Sequence, residues 1–388
     1  LLRIYTLSII TETQKYFFGY VKSLFIRDLA VMKRNRKMFC LGILFFLSTV
    51  SMAQRTYLPN SVLSNGNWYK IAIKNPGIYK MDLNFLSRLG INTTNLASNS
   101  IRLFGNGGQV LPEANSTMRI DDIRENAIMV LDGGDGILNG NDYILFFAGG
   151  PDQWTNDSAH ARFIHKKNIY SDSTYYFLSI GGNGKRIQNA TTNLSPNLTI
   201  TSFSERNFHE LDTVNFLLSG KEWYGEEFEN APGKTITRNF TVTIPNIQNN
   251  SPLTLISNCI ARSVGGGSSF DVKINDQPTG QITIPPVTGG ILDLFAQQST
   301  AVMTTNASQP AINIQYTYNP GSFNAQGWLN WFELFSRRNL SLSGGDQLLF
   351  RDWQSVGNNI GEFIISNANT GSQVWDITDP LTPVRMQS

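Results

Sequence analysis

The residues best able to do chemistry in this chain lie between Leu131 and Tyr143, where Asp132, Asp135, Asn139 and Asp142 alternate with Gly133, Gly134, Gly136 and Gly140. Four hard oxygen donors on a glycine-rich loop could converge on Ca²⁺. The spacing is not that of an EF-hand. Counting from Asp135, Ile137 falls on a ligand position and Phe146 stands where the closing Glu belongs. The competing reading is a solvated turn in which the Asp and Asn side chains accept from nearby backbone N–H groups.

Other candidate chemistry is thinner. His160 and His165 are five apart, which misses the i, i+4 spacing of paired helical zinc ligands and falls on opposite faces of a strand. Together with His209 they read as surface or loop histidines. Cys259, in LTLISNCIA, reads as a buried core thiol, with no neighbouring base to make it a nucleophile. Gly181-Gly182-Asn183-Gly184-Lys185 fails as a phosphate loop, because Ser179 stands where Gly is needed and Arg186 where Ser or Thr is needed. Gly265-Gly266-Gly267 reads as a flexible connection. No catalytic residue and no organic cofactor can be assigned from these motifs.

The elements that must carry these residues read as strands. Apolar residues recur with period two between Gly, Asn, Ser and Thr breaks, so the chain is expected to be mainly β. Tyr69, Ile71 and Ile73 alternate with Lys70, Ala72 and Lys74, and Asn75-Pro76-Gly77 turns the chain back. Asp82 is placed to cap a short helix with Leu83, Leu86 and Leu89 on one face, ended by Gly90. Further strands are expected at 101–104, 127–131, 143–147 and 175–180. The polar stretch 188–202 reads as a linker or domain edge. A second series at 238–244, 253–261, 269–274, 281–284, 311–318 and 327–337 suggests an antiparallel β-sandwich or jelly roll. In its last strand Trp328, Asn330, Phe332 and Leu334 should occupy one face, with Leu329, Trp331, Glu333 and Phe335 on the other. Both faces are largely apolar, which predicts a strand covered on both sides. Shorter strands are expected at 347–351, 362–365 and 373–377.

The N-terminus reads as an export signal. From Met32, the first Met, Lys33, Arg34, Arg36 and Lys37 precede an apolar run from Met38 to Val50. Ser51-Met52-Ala53 then supplies small residues for cleavage between Ala53 and Gln54. The expected organisation is residues 1–31 as translation upstream of the true start and 32–53 as signal peptide. A β-rich domain with a short helix follows over 54–203, then a β-sandwich over 204–338 and a junction over 339–388. The 335 residues left after removing 53 from 388 exceed one ordinary core. The net charge of +2 conceals an asymmetry. Residues 1–53 hold eight Lys/Arg and two Asp/Glu, or +6, which leaves −4 on the rest. A mildly acidic body gives no support for nucleic-acid binding. With Cys259 its only cysteine, the expected mature chain can form no internal disulfide.

Five segments, in order, resemble a known family: GNWYKIAIKNPGIYKMDLNFLSRLGIN (66–92), IRLFGNGGQVLPE (101–113), ENAIMVLDGGDGILNGNDYILFFAGGPDQW (125–154), YSDSTYYFLSIGG (170–182) and VWDITDP (374–380). They resemble the non-catalytic front half of PorU-type proteins, the gingipain-like cysteine peptidases that serve as sortases of type IX secretion in Bacteroidetes. The resemblance implies Sec export, an outer-membrane or cell-surface location, a PorV-like outer-membrane partner, and cargo C-terminal domains as substrates. It places the peptidase domain, with its His and Cys, after the last residues of this chain, so the chain is expected to be an inactive fragment. Asp157-Ser158-Ala159, Asp172-Ser173-Thr174 and Asp212-Thr213-Val214 resemble the O-glycosylation triplet of such exported proteins. The alternative reading is a surface carbohydrate-binding or adhesion protein of β-sandwich modules, with the aromatics of 328–335 as a sugar platform.

Overall fold

The computed structural model describes residues 57–387, except 192, 193, 217, 219, 221, 344–346, 358 and 359. The expected cleavage site at Ala53 and Gln54, and the apolar run before it, lie outside the described residues. Ser61–Ser388 forms one compact unit. It is mainly β, with one short α-helix among the described residues, and it holds two large hydrophobic cores.

The first core lies between two antiparallel sheets. One runs Tyr69–Ile73, Thr174–Ile180, Ile101–Phe104, Glu125–Asn126, and the other Gly77–Asp82, Tyr143–Ala148, Met129–Leu131. Alternation buries one side of each strand, and Ile101, Leu103, Ile144 and Leu178 are fully enclosed. The Asp82 carboxylate accepts from Phe85 N at 2.8 Å and caps the helix Leu83–Arg88 as expected. Leu86 points into the core, and Gly90 at φ +86° takes the chain out. Tyr176 spans the core, its hydroxyl accepting from Gly149 N at 2.8 Å, and burial pushes that phenol up to about 12.

The second core fills an antiparallel sandwich. One sheet runs Ser202–Glu210, Gln326–Asn339, Pro252–Arg262, Gln297–Asn306, with Glu227–Glu229 also paired to Gln326–Asn339. The facing sheet runs Thr237–Thr243, Ala311–Asn319, Ser268–Ile274, Gln277–Ile284. Phe240, Tyr316 and Phe332 meet ring to ring across the layers. Gly327 lets the sheets close, because a Cβ there would lie 2.6 Å from Phe270 Cζ.

The strand Gln326–Asn339 is central, yet its expected faces need correcting. The register pairs Asn258 with Trp331 and Cys259 with Leu329, leaving Asn330 as the extra residue of a β-bulge. The bulge flips the alternation, so Leu329 joins Phe332 and Leu334 in the sandwich core. Trp328 turns outward into a separate cluster with Tyr224 and Ile260. Asn330 Nδ2 donates to Asn258 Oδ1 at 3.0 Å, which satisfies the amide where the ladder is interrupted.

The C-terminal segment returns along the body. Gly361–Phe363 pairs in parallel with Leu198–Ile200, and Val384–Met386 with Gln188–Ala190. The stretch 188–202 thus carries short strands that the returning chain completes. The expected strand at 347–351 forms no strand. It runs alongside Ser202–Glu210, with Ser204 N donating to Arg351 O, while Gln347 Oε1 accepts from Ile78 N at 2.8 Å.

Truncating the ring at the centre of the sandwich, Phe332→Ala, is expected to destabilise by about 3–5 kcal/mol. The readout is a lower urea midpoint at unchanged slope. A loss under about 1 kcal/mol would mean that this ring is not central to the packing.

Candidate functional sites: the acidic loop and a buried polar seam

The acidic loop folds on itself. Ile137–Leu138 pairs antiparallel with Leu96–Ala97, and Leu138 is buried in the first core. Around this anchor Gly133, Gly134, Gly136 and Gly140 all take positive φ. The carboxylates answer the loop's own donors. Asp132 Oδ1 accepts from Gly134 N at 3.0 Å, Asp135 Oδ1 from Ile137 N at 2.9 Å, and Asp142 Oδ2 from Asn139 N at 2.8 Å. Asn139 Nδ2 donates to Asp135 Oδ2 at 2.9 Å. The Ser98 hydroxyl and Gly134 N–H hold the Asp132 carboxyl below its ordinary value. Among the described residues no three His, Cys, Asp or Glu side chains converge to hold a metal. A cation here would have to replace these Asx-type bonds.

The three histidines occupy three separate places. His160 sits in the turn of a hairpin, Nδ1 at 2.8 Å from Asp157 Oδ2. His165 lies further along the same hairpin, and His209 Nε2 is 2.8 Å from Glu226 Oε1 in the sandwich. Cys259 is fully buried on Pro252–Arg262, and burial pushes its thiol well up, so it has neither the access nor the thiolate of a nucleophile. In the aromatic strand Trp328 and Phe332 are 3% and 1% exposed, while Trp331 and Phe335 are half-buried.

Sequence reasoning missed the polar cluster where the two cores meet. The hairpin Gln153–Asp157 and Arg162–Lys166 lies on the outward face of the sandwich strands Ser202–Glu210 and Gln326–Asn339. Its His165 ring stacks on Phe208 at 3.5 Å, and His165 N donates to Glu333 Oε1 at 2.9 Å. Arg206 lies over Trp154 at 4.0 Å, and Arg162 over Phe335 at 5.6 Å. His165 Nε2 is 3.1 Å from Asp152 Oδ2. Glu333 is 5% exposed, and burial raises its carboxyl. Burial, with Arg351 nearby, brings the Arg206 guanidinium down to about 9.

At the rim of this seam Lys167 pairs with Asp212 and lies 3.7 Å from Glu210 Oε1. One ammonium thus serves two carboxylates, with Asp152 also nearby. Burial pushes Glu210 up to about 7, against the pull of Lys167 and with further help from Asp212. The only signal in the sequence was the density of charge in SFSERNFHELD and RFIHKK, which reads as an exposed face when the covering hairpin is not known.

No protein-family model matches this chain, and no curated protein matches it either. Among solved structures, the chain is similar to dimeric latent PorU from Porphyromonas gingivalis, at 22% identity and a TM-score of 0.70. The match covers 84% of this chain and 30% of that one. This establishes a PorU-like fold. A family 36 carbohydrate-binding module in complex with calcium and xylotriose matches at 11% identity and a TM-score of 0.19, over 34% of this chain and 98% of the module. A Bacillus thuringiensis delta-endotoxin matches at 10% identity and 0.23, over 63% of this chain and 43% of the toxin. Neither of these two superposes well enough to carry an argument.

Two outcomes follow from this geometry. The folded state holds the Glu210 proton up to about pH 7, whereas an unfolded glutamate releases it near 4.5. The stabilisation is therefore complete below pH 4.5 and is lost as the pH rises through 7. Glu210→Gln should flatten the fall in melting temperature between about pH 5 and pH 8, measured against the unsubstituted chain; an unchanged slope would assign the dependence to another group. For the acidic loop, calcium should leave the melting temperature where a chelator leaves it, and Asp135→Ala should lower it by removing two loop bonds. A calcium-dependent rise that Asp135→Ala abolishes would establish a metal site.

Proposed function

We propose that this chain is the non-catalytic front region of an exported, PorU-type cysteine peptidase acting as a sortase of type IX secretion. The observation that carries the reading is the fold likeness to latent PorU over most of the chain. The five segments quoted above, in family order, support it independently. The chain spans 30% of that neighbour's length, so the activity belongs to the whole protein. The whole protein would cleave C-terminal sorting signals from exported cargo through a thiolate paired with a histidine. It would work at the outer membrane beside a PorV-like partner.

In this reading the present residues hold and present the peptidase domain, and none of them is catalytic. The full burial of Cys259 supports leaving it out of the chemistry. The two lobes have the character of a scaffold: extensive cores, a seam stiffened by charge-assisted contacts, and a C-terminal segment strapped onto the body by parallel pairing. A sugar platform is not favoured by Trp328 and Phe332, both of which are buried.

The reading frame beyond Ser388 is expected to encode a His and a later Cys within α/β-patterned residues. The purified chain is expected to leave a sorting-signal peptide uncut. Cleavage by the chain itself, or a continuation made only of further β modules, would overturn the proposal.

A further inference from the structure

Three loops meet at one end of the sandwich, and each carries apolar side chains into solvent. Loop 263–267 is stitched to loop 285–296 by Val287 N donating to Ser263 O at 2.9 Å and Gly265 N to Val287 O at 3.2 Å. It meets loop 320–325 where Ser263 Oγ lies 3.3 Å from Ser322 Oγ, and where a Cβ on Gly266 would lie 2.3 Å from Gly321 O. Ile291 and Leu292 are 101% and 100% exposed, and Phe323 is 97% exposed, so these side chains touch almost nothing of the protein. Leu294 at 62% and Val264 at 45% stand beside them. Buried apolar groups need no explanation, whereas a cluster of fully exposed ones does.

Two further features define what could cover the tips. Asp293 is the only ionisable residue of the three loops. Its carboxylate is engaged within its own loop, accepting from Thr288 N at 2.6 Å, Thr288 Oγ1 at 2.7 Å and Leu294 N at 2.8 Å. Those bonds stiffen the loop and hold the carboxyl below its ordinary value, so one anion stands beside the tips with its oxygens already answered by three donors. Behind them, Arg262 lies over the Phe295 ring at 4.4 Å and donates to Phe295 O at 2.9 Å. The order is aliphatic tip, then aromatic ring, then guanidinium, which is the layering of a bilayer interface.

We propose that this end of the sandwich enters a lipid surface, with Ile291, Leu292 and Phe323 in the hydrocarbon boundary and Phe295 and Arg262 at headgroup level. A second copy of the chain suits the tips less well. The five side chains offer on the order of 700 Å², short of the ~800 Å² per partner of a stable interface, and they are divided among three loops. Lipid needs no complementary shape and fills around separate prongs. The proposal does not depend on the sortase reading.

The test is co-sedimentation of the chain starting at Gln54 with vesicles, since the apolar run 38–50 would itself bind lipid. Zwitterionic phosphatidylcholine vesicles are compared with vesicles containing phosphatidylglycerol, at low and high salt. Binding should be equal for both compositions and unaffected by salt, because the Arg262 guanidinium and the Asp293 carboxylate offset each other. The combined variant Ile291→Ser, Leu292→Ser, Phe323→Ser should keep its melting temperature and lose at least about tenfold in partitioning. The proposal is overturned if the unsubstituted chain binds neither vesicle, or if the variant binds as well. Binding restricted to anionic vesicles and lost in salt would also overturn it, as would a concentration-dependent dimer that the same variant abolishes.

Discussion

The strand Gln326–Asn339 is apolar on both faces, and a strand of that kind has to be covered twice. Its inner residues Leu329, Phe332 and Leu334 are covered by the facing sheet of the sandwich. Its outer residues Glu333 and Phe335 are covered by a hairpin from the first lobe, through His165, Arg162 and their neighbours. The two lobes are therefore joined by the need to keep one strand dry. Glu333 is the clearest sign of it: a carboxylate at 5% exposure persists only where something stands over it and donates to it.

Much of the fold was legible because aliphatic alternation reports directly on burial. The strands Tyr69–Ile73 and Ile101–Phe104, and the helix after Asp82, all follow that rule. Where burial is achieved by other chemistry the alternation is silent. The hairpin strands Gln153–Asp157 and Arg162–Lys166 and the strand Ser202–Glu210 bury rings stacked with guanidinium, imidazole and carboxylate groups, so their sequences look solvated. Gln297–Asn306 is a sheet-edge strand in which Ala301, Val302 and Met303 stand together among Gln, Ser, Thr and Asn, with no alternation to read. The bulge at Asn330 could not be read from period two, because one extra residue reverses every assignment before it. In the acidic loop the side-chain oxygens accept from the loop's own amides, a pairing that residue types alone do not distinguish from metal ligation.

The same contrast runs through the functional reading. Segments with characteristic glycines and acids pointed to a PorU-like architecture, and the fold agrees over 84% of the chain. Among the described residues Cys259 is sealed inside a sandwich and the three histidines serve three different local structures. What the described residues do contain is a two-lobed body with a charged seam inside and an exposed apolar end outside.

The returning C-terminal segment imposes an order of events. Gln188–Ala190 and Leu198–Ile200 find their partners only in Val384–Met386 and Gly361–Phe363, the former about 200 residues later in the chain. Parallel pairings so far apart close late, after both cores have collapsed from more local contacts. A chain whose last strands have not yet formed therefore presents two open edges, at Gln188–Ala190 and Leu198–Ile200, each a template for a strand from another chain.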